Sequence, residues 1–395
     1  MRPESPAPTM AMSPMNQSYT SAPVPSKQSA AFYAAYFAVL GVVLPYLGPY
    51  LQQRGVAAIG IGLITAAFSL AKLAYAPVLG AAVDRGFWFR GILTVHVGLS
   101  LVCAVSLEIL DTGPWQLAIV FFLVGLGYGT VLPLVEASVL ERLSQRRYGW
   151  LRVWGSIGFV VAASIAGPVV ASDGTIRFPL LLAVSLAALW VTCVPLEKAT
   201  RPVPGSRRAK LPGAVWWLLA LLTLHQVAHG PYYAFFSIHL DDSGFSSVTM
   251  GVMWSLGVAA ELAAFVASPW LHRRLGLRKL LGLSLLLSPV RWLLLALPLS
   301  TESLVVAQLG HASTYALAHL AGVQLVQVNV PAGAVRHAQA LYSGLSFGLG
   351  IVAGSVVSGP LYAWIGGSGS FLVAAALAAV LVIAWLPLAG RLRQE

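Results

Sequence analysis

Charge is what this sequence has least of. Of 395 residues, 9% are Asp, Glu, Lys or Arg while 58% are hydrophobic, and mean hydropathy is +0.79. A soluble globular chain carries roughly 25% charged residues. What is left here cannot cover a soluble core of this size, which excludes a cytosolic enzyme and a disordered chain. Cysteine is nearly as scarce: Cys103 and Cys193 both fall inside apolar runs, so no disulfide framework is expected. Ligand and nucleophile clusters are missing too. His225 and His229 stand four apart like a metal pair, but no HExxH or DxD-like run accompanies them. No enzyme activity, cofactor or metal is therefore expected. Residues 1–29, rich in Pro and Ser and without an apolar run, read as a disordered tail rather than a cleaved signal peptide.

What is present is apolar length. A spanning helix needs about 20 mostly apolar residues, and twelve runs qualify: 30–52, 58–82, 89–109, 115–140, 150–171, 177–196, 213–239, 247–271, 278–299, 303–327, 338–362 and 369–389. They are continuous rather than alternating, so barrel strands are excluded. One longer hydrophilic link, 197–212, separates an N-terminal bundle (30–196) from a C-terminal bundle (213–389), with a short tail at 390–395. With the N-terminus inside, 19 of the 24 Lys and Arg residues fall in cytoplasmic segments, and only Arg54 and Arg177 fall opposite. The positive-inside rule then puts both termini in the cytoplasm. The net charge of +11 is thereby assigned to anionic lipid, not nucleic acid.

The halves repeat weakly. SIAGPVV (164–170) returns as VVSGPLY (356–362), and the basic turn DRGFWFR (84–90) returns as RRLGLRK (273–279). Two pseudo-symmetric six-helix bundles describe an all-α integral membrane secondary transporter, with its site near the midplane between halves.

An ionisable residue inside a span costs at least about 2.5 kcal/mol, so it normally lines a cavity. Within the runs these are Lys72, His96, Glu136, Arg152, His225, His229, Glu261, Arg291, His311 and His319. Lys72 and Arg291 fall too deep for snorkelling. His311, Thr314, Tyr315, Ala318 and His319 share one helix stripe; His225, His229, Tyr232 and Tyr233 make another; Trp254 and Glu261 stand seven apart. Together these predict an aromatic-walled polar cavity in the C-terminal half. Glu136 and Arg152 return to similar depth across a short turn, where they can pair or hold the polar head of a substrate.

These residues resemble the major facilitator superfamily. Gly80-Ala-Ala-Val-Asp84-Arg85, with Arg90 beyond, resembles its signature turn after the second span, and Arg274-Leu-Gly276-Leu-Arg278-Lys279 resembles the degenerate second copy. The resemblance implies a cytoplasmic gate latch at Asp84, Arg85, Arg274 and Arg278. VEASVLERLSQRRYGWLRVWGSIGF (135–159) is similar to the lactose-permease-like branch, where it implies substrate contact by Glu136 and Arg152. SPVRW (288–292) and LGHASTYALAH (309–319) resemble its proton-coupling regions, implying that role for Arg291 and His311. AHGPYYAFFSI (228–238), MWSLGVAAE (253–261) and His319 are most similar to the phenylpropionate permease subgroup. The chain departs from the sugar permeases at Phe159 in place of a stacking Trp, Thr314 in place of a carboxylate, and His229 and Gln308 in place of an Asp–Lys pair.

The expected activity is proton-coupled symport of a small aromatic or other organic monocarboxylate by alternating access. Arg152, with Lys72, holds the carboxylate; Trp254, Tyr232, Tyr233 and Phe159 wall the apolar body; Glu136 completes the site. Glu261 or His319 carries the proton, with Arg291, His311 and His229 in the same relay. A sugar or nucleoside symporter is the alternative, and drug efflux a third reading. The expected setting is the plasma membrane, a bacterial inner membrane, where a monomer suffices and the partners are substrate, protons and lipid.

Overall fold

The computed structural model describes residues 27–110, 113–140, 145–173, 177–196 and 210–394. The disordered-tail expectation falls on 1–29, of which 1–26 lie outside the described residues; so do 197–209 of the linker and the side chains of Lys72 and Asp84. Among the described residues every regular element is helical. The N-terminal half comprises α1 (Lys27–Gln53), α2 (Ala58–Asp84), α3 (Phe89–Ile109), α4 (Pro114–Leu140), α5 (Gln145–Asp173) and α6 (Phe178–Cys193). The C-terminal half comprises α7 (Gly213–Val227), α8 (Gly230–Asp242), α9 (Ser247–Leu275), α10 (Leu277–Ala296), α11 (Thr301–His311), α12 (Ala318–Val328), α13 (Val335–Tyr342) and α14 (Ile351–Ala389). Two π-helical segments, Ala312–Leu317 and Ser343–Gly350, join α11 to α12 and α13 to α14.

The expected apolar runs are helical, with three differences. The run 213–239 is broken at Ala228 and His229, because Pro231 lacks the N–H that would bond Val227 and Gly230 sits against the backbone of Gly354. The run 303–327 is interrupted by the first π segment. The runs 338–362 and 369–389 share α14, whose helical geometry fails only at Gly366 (φ 67°, ψ −171°), a conformation that glycine alone tolerates without strain. Seven helices among the described residues are long and apolar enough to cross a membrane. The breaks leave α7 and α8, at 15 and 13 residues, too short to be counted singly.

The sequence repeat reappears as a repeat of packing. In the first half α1 lies on α5, α2 on α4, and α3 on α6. In the second, α7 and α8 lie on the segment 343–389, α9 on α11 and the π segment after it, and α10 on α14. Small residues permit the first of these contacts in both halves. A Cβ on Gly41 or Gly158 would fall onto the backbone of the facing α5 or α1, as one on Gly230 would fall onto Gly354. The third contact is fastened alike: Arg90 Nε donates to Leu196 O at 2.8 Å, and Arg278 Nη1 donates to Ala389 O at 2.9 Å. Each arginine opens one helix and bonds a carbonyl at the end of its neighbour, where cations are favoured.

Between halves α5 packs on α9, α2 on α14 and α1 on α8. The Tyr46 hydroxyl lies within hydrogen-bond distance of Ala163 O (2.9 Å) and Ser247 O (3.2 Å), tying α1, α5 and the start of α9 at one end. There a single apolar core runs from Tyr46 and Tyr50 to Phe235, Met250, Trp254 and Phe371. A second core, containing Val215 and Leu218 with Leu281, Leu325 and Leu388, stays within the C-terminal half and does not join it.

Candidate substrate site

Arg291, on α10, is only 2% exposed, so it does not reach the bilayer surface. Its guanidinium carbon lies 4.4 Å from the Tyr232 ring centroid and 4.5 Å from that of Trp292, two cation–π contacts that replace part of the lost hydration. Nε donates to Ala307 O at 2.9 Å and Nη1 to Thr314 Oγ1 at 3.3 Å, while Nη2 has no partner among the described residues. Tyr232 donates to Gln308 Oε1 at 2.9 Å. Thr314 O receives His225 Nε2 at 2.8 Å and the Ser284 hydroxyl at 3.3 Å. Thr314 lies in the π segment, whose wider turns leave carbonyls accessible to side chains.

The helix break supplies its own repair. The His229 N–H bonds Gln226 O at 3.1 Å instead of His225 O, and the His229 ring takes over, its Nδ1 donating to His225 O at 2.8 Å. Buried backbone must be satisfied from within the protein. His229 Nδ1 therefore carries its proton, and its ring stands edge-on to Trp292 with centroids 4.8 Å apart.

Nearer the partner half, His311 Nε2 lies 3.8 Å from Glu261 Oε2. His311, Tyr315 and His319 stack in a column, with centroid separations of 5.2 and 6.4 Å. On an ideal α-helix, side chains four apart drift around the axis; the wider π turns bring them into line. Phe347 meets Tyr315, His319 and Tyr342 edge-on, and Phe265 meets His319. From the N-terminal half Arg152 approaches this wall, its guanidinium carbon 5.7 Å from the Phe265 centroid and within electrostatic reach of Glu261, Tyr315 and His319. Between the segments containing His225, Tyr315 and Phe347 lies a narrow cavity with room for about one water.

The residues expected to meet thus divide. Tyr232, Trp254, His229, Arg291, His311, Glu261 and His319 form one contiguous cluster, with Arg152 facing it and half-buried Tyr233 stacked on His229. Trp254 is buried, its N–H donated to Ser237 Oγ at 2.9 Å, so it backs the cluster rather than lining open space. Half-buried Glu136 acts electrostatically on Tyr36 of α1. Phe159 is also buried (2% exposed): its backbone carbonyl is what Gly41 accommodates, and its ring belongs to the apolar core. Of the expected gate residues, Arg85 and Arg274 are exposed, and Arg278 is engaged within its own half by Ala389. The Asp84 and Lys72 expectations rest on side chains outside the described residues. Sequence reasoning missed Gln226, Phe265, Tyr342, Ser346 and Phe347, which carry no charge to mark their depth.

The model of the MFS_1 like family matches residues 28–373. The chain is 29% identical over 357 residues to the probable 3-phenylpropionic acid transporter of Escherichia coli (strain K12), covering 88% of this chain and 93% of that protein. It is 26% identical over 344 residues to the maltose permease of Geobacillus stearothermophilus, covering 84% and 86%. Among solved structures, the nucleoside transporter NupG superposes with a TM-score of 0.76 at 18% identity, covering 91% of this chain and 98% of that one. The POT family transporter PepTSo superposes at 0.73 and 12% identity, covering 92% and 97%.

Proposed function

The chain belongs to the MFS_1 like family, a multi-pass transporter of the plasma membrane and not an enzyme, and we propose that it carries a small aromatic monocarboxylate, in symport with protons. One observation carries this reading: Arg152 of one half lies over an aromatic wall of the other, beside Glu261. A planar guanidinium binds a carboxylate through two parallel hydrogen bonds. Phe265, Tyr315, His319 and Phe347 offer ring faces and edges to an aryl group. A substrate held at both places bridges the halves, so its binding energy couples to their relative motion. The substrate for which the Escherichia coli relative is named supports the same class.

Proton coupling is assigned to Glu261 and His311. A substrate carboxylate drawn to Arg152 competes with Glu261 for that positive charge, which ties substrate occupancy to protonation of Glu261. Arg291, rooted in its two rings, holds the positive potential behind His311, and His319 and His229 flank the pair.

Uptake of labelled 3-phenylpropionate into proteoliposomes tests this. With an inward proton gradient, accumulation above the equilibrium level is expected, abolished by an uncoupler and competed by aryl carboxylates. Glu261→Gln retains counterflow exchange but loses gradient-driven accumulation. Competition by sugars or nucleosides but not by aryl carboxylates overturns the substrate class, and accumulation indifferent to the uncoupler overturns the coupling.

A further inference from the structure

The two halves meet backbone to backbone at two crossings, both near the Tyr46 end. Where α5 crosses α9, a Cβ on Gly251 would fall 2.5 Å from Ala163 O, and one on Gly167 would fall 3.0 Å from Val248 Cα. Where α2 crosses α14, a Cβ on Gly62 would fall 2.6 Å from Ser355 O, and one on Gly359 would fall 2.9 Å from Ile59 Cα. Only residues without a side chain let helices approach so closely. The four glycines are related by the internal repeat. Gly62 and Gly251 stand 189 residues apart, as the basic turns 84–90 and 273–279 do, and Gly167 and Gly359 hold the same place in SIAGPVV and VVSGPLY. One contact between halves is thus encoded twice.

Tyr46 makes the two crossings unlike. It is fully buried, and its hydroxyl has one hydrogen to share between Ala163 O at 2.9 Å and Ser247 O at 3.2 Å, one carbonyl in each half. It sits between the glycines of that crossing, 2.5 Å from a Cβ on Gly251 and 3.1 Å from one on Gly167. The residue 189 positions on is Phe235, which has no hydroxyl and stacks on Tyr362 of its own half, centroids 4.5 Å apart. Both carbonyls that face Tyr46 belong to helices, whose ladders supply them with a donor, so the hydroxyl can leave without stranding either. The crossings lie beside the turns that carry Arg54, Asp241 and Asp242, whereas Arg85, Arg90, Arg274 and Arg278 stand at the other end. The positive-inside rule turns the crossings away from the cytoplasm. We propose that the two crossings form one gate on the non-cytoplasmic face, that they part together, and that the Tyr46 hydroxyl is the bolt on one of them, favouring the state closed on that face. The gate holds whatever the substrate and does not rest on the aryl-carboxylate reading.

Met250, 2% exposed in the core that the halves share at this end, serves as the reporter position. Met250→Cys is labelled with a membrane-impermeant maleimide applied outside right-side-out vesicles. The chain without that substitution, whose Cys103 and Cys193 are both buried, gives the background. Adding Tyr46→Phe should raise the labelling rate about 2–10-fold, the equilibrium worth of one neutral hydrogen bond. Gly62→Ala overpacks the other crossing and reaches neither Tyr46 nor α9, so it raises labelling at position 250 only if the crossings part together. A rise of at least the same size is expected. Gly213→Ala, with nothing within 4 Å of its added Cβ, should leave the rate unchanged. Tyr46→Phe removes a single atom and keeps the fold, so the bolt stays testable even where a glycine variant is lost. A Tyr46→Phe rate equal to that of the parent overturns the bolt. An unchanged rate in folded Gly62→Ala overturns the joint gate, as does an equal rise in Gly213→Ala. Faster labelling from the cytoplasmic side, in inside-out vesicles, overturns the assigned face.

Discussion

A single arginine shows how this protein keeps a charge in an apolar interior. Arg291 has no carboxylate within ion-pair distance among the described residues; two ring faces, a peptide carbonyl and a threonine hydroxyl surround it instead. Such a site accepts only a flat, delocalised cation. Arg291→Lys keeps the charge but concentrates it on one strongly hydrated nitrogen that cannot lie flat against the Tyr232 and Trp292 rings. We expect Arg291→Lys to lose about 1–3 kcal/mol of stability, from the hydrogen bonds and stacking it forfeits. Arg291→Met fills similar space without a charge to bury and should lose less. Thermal unfolding of the purified protein in detergent orders the two; Lys as stable as Arg would show that planarity is irrelevant here. The depth of Arg291, Glu261 and His311 was legible in the sequence because charge stands out in an apolar run. Phe265, which faces the same groups, was not, since an uncharged residue in a span carries no such mark, and Gln308 stood out only through the family resemblance.

Among the elements, the broken helix α7–α8 governs the geometry. The signal for the break was present as Gly230-Pro231, yet hydropathy alone reads 213–239 as one span, because a break satisfied by His229 needs no polar sequence around it. The same blindness hid the π segments. His311, Tyr315 and His319 were placed on one face by α-helical spacing, and the wider turn is what stacks them. Phe159 was expected to wall the substrate because it stands where the resembling sugar permeases carry a stacking Trp, but it is buried, in the close approach of α1 permitted by Gly41 and Gly158. The break depends on contact with α14, where Gly230 and Gly354 meet backbone to backbone. Gly230→Ala puts a methyl group into that contact and is expected to cost about 1–3 kcal/mol by overpacking. Gly333→Ala, with nothing near its added Cβ, serves as the control. Parallel thermal melts should separate them, and equal melts would mean that the α8–α14 contact has room to spare.

At the scale of the whole molecule, composition and run length were enough to give an all-helical membrane protein, since no soluble packing disposes of so much apolar surface. The internal repeat was faint in letters and is plainer in packing: α3 is fastened to α6 by Arg90, and α10 to α14 by Arg278, at corresponding places in the two halves. Arg278 was expected to latch the gate between halves from a motif resemblance, but its bond to Ala389 holds one half together. A resemblance in a turn does not say which partner the side chain finds. The halves share one apolar core at the Tyr46 end and keep separate cores at the other, as a carrier closed on one side and able to part on the other would. A substrate spanning Arg152 and the rings of the opposite half is the proposed link between binding and that motion. The most direct measurement is equilibrium binding of 3-phenylpropionate to purified wild-type protein, Arg152→Lys and Arg152→Gln, each first checked for an unchanged melting profile. Losing a charge-assisted pair should weaken binding by about 10–100-fold in Arg152→Gln, with Arg152→Lys between; affinity in Arg152→Gln equal to wild type would contradict the account.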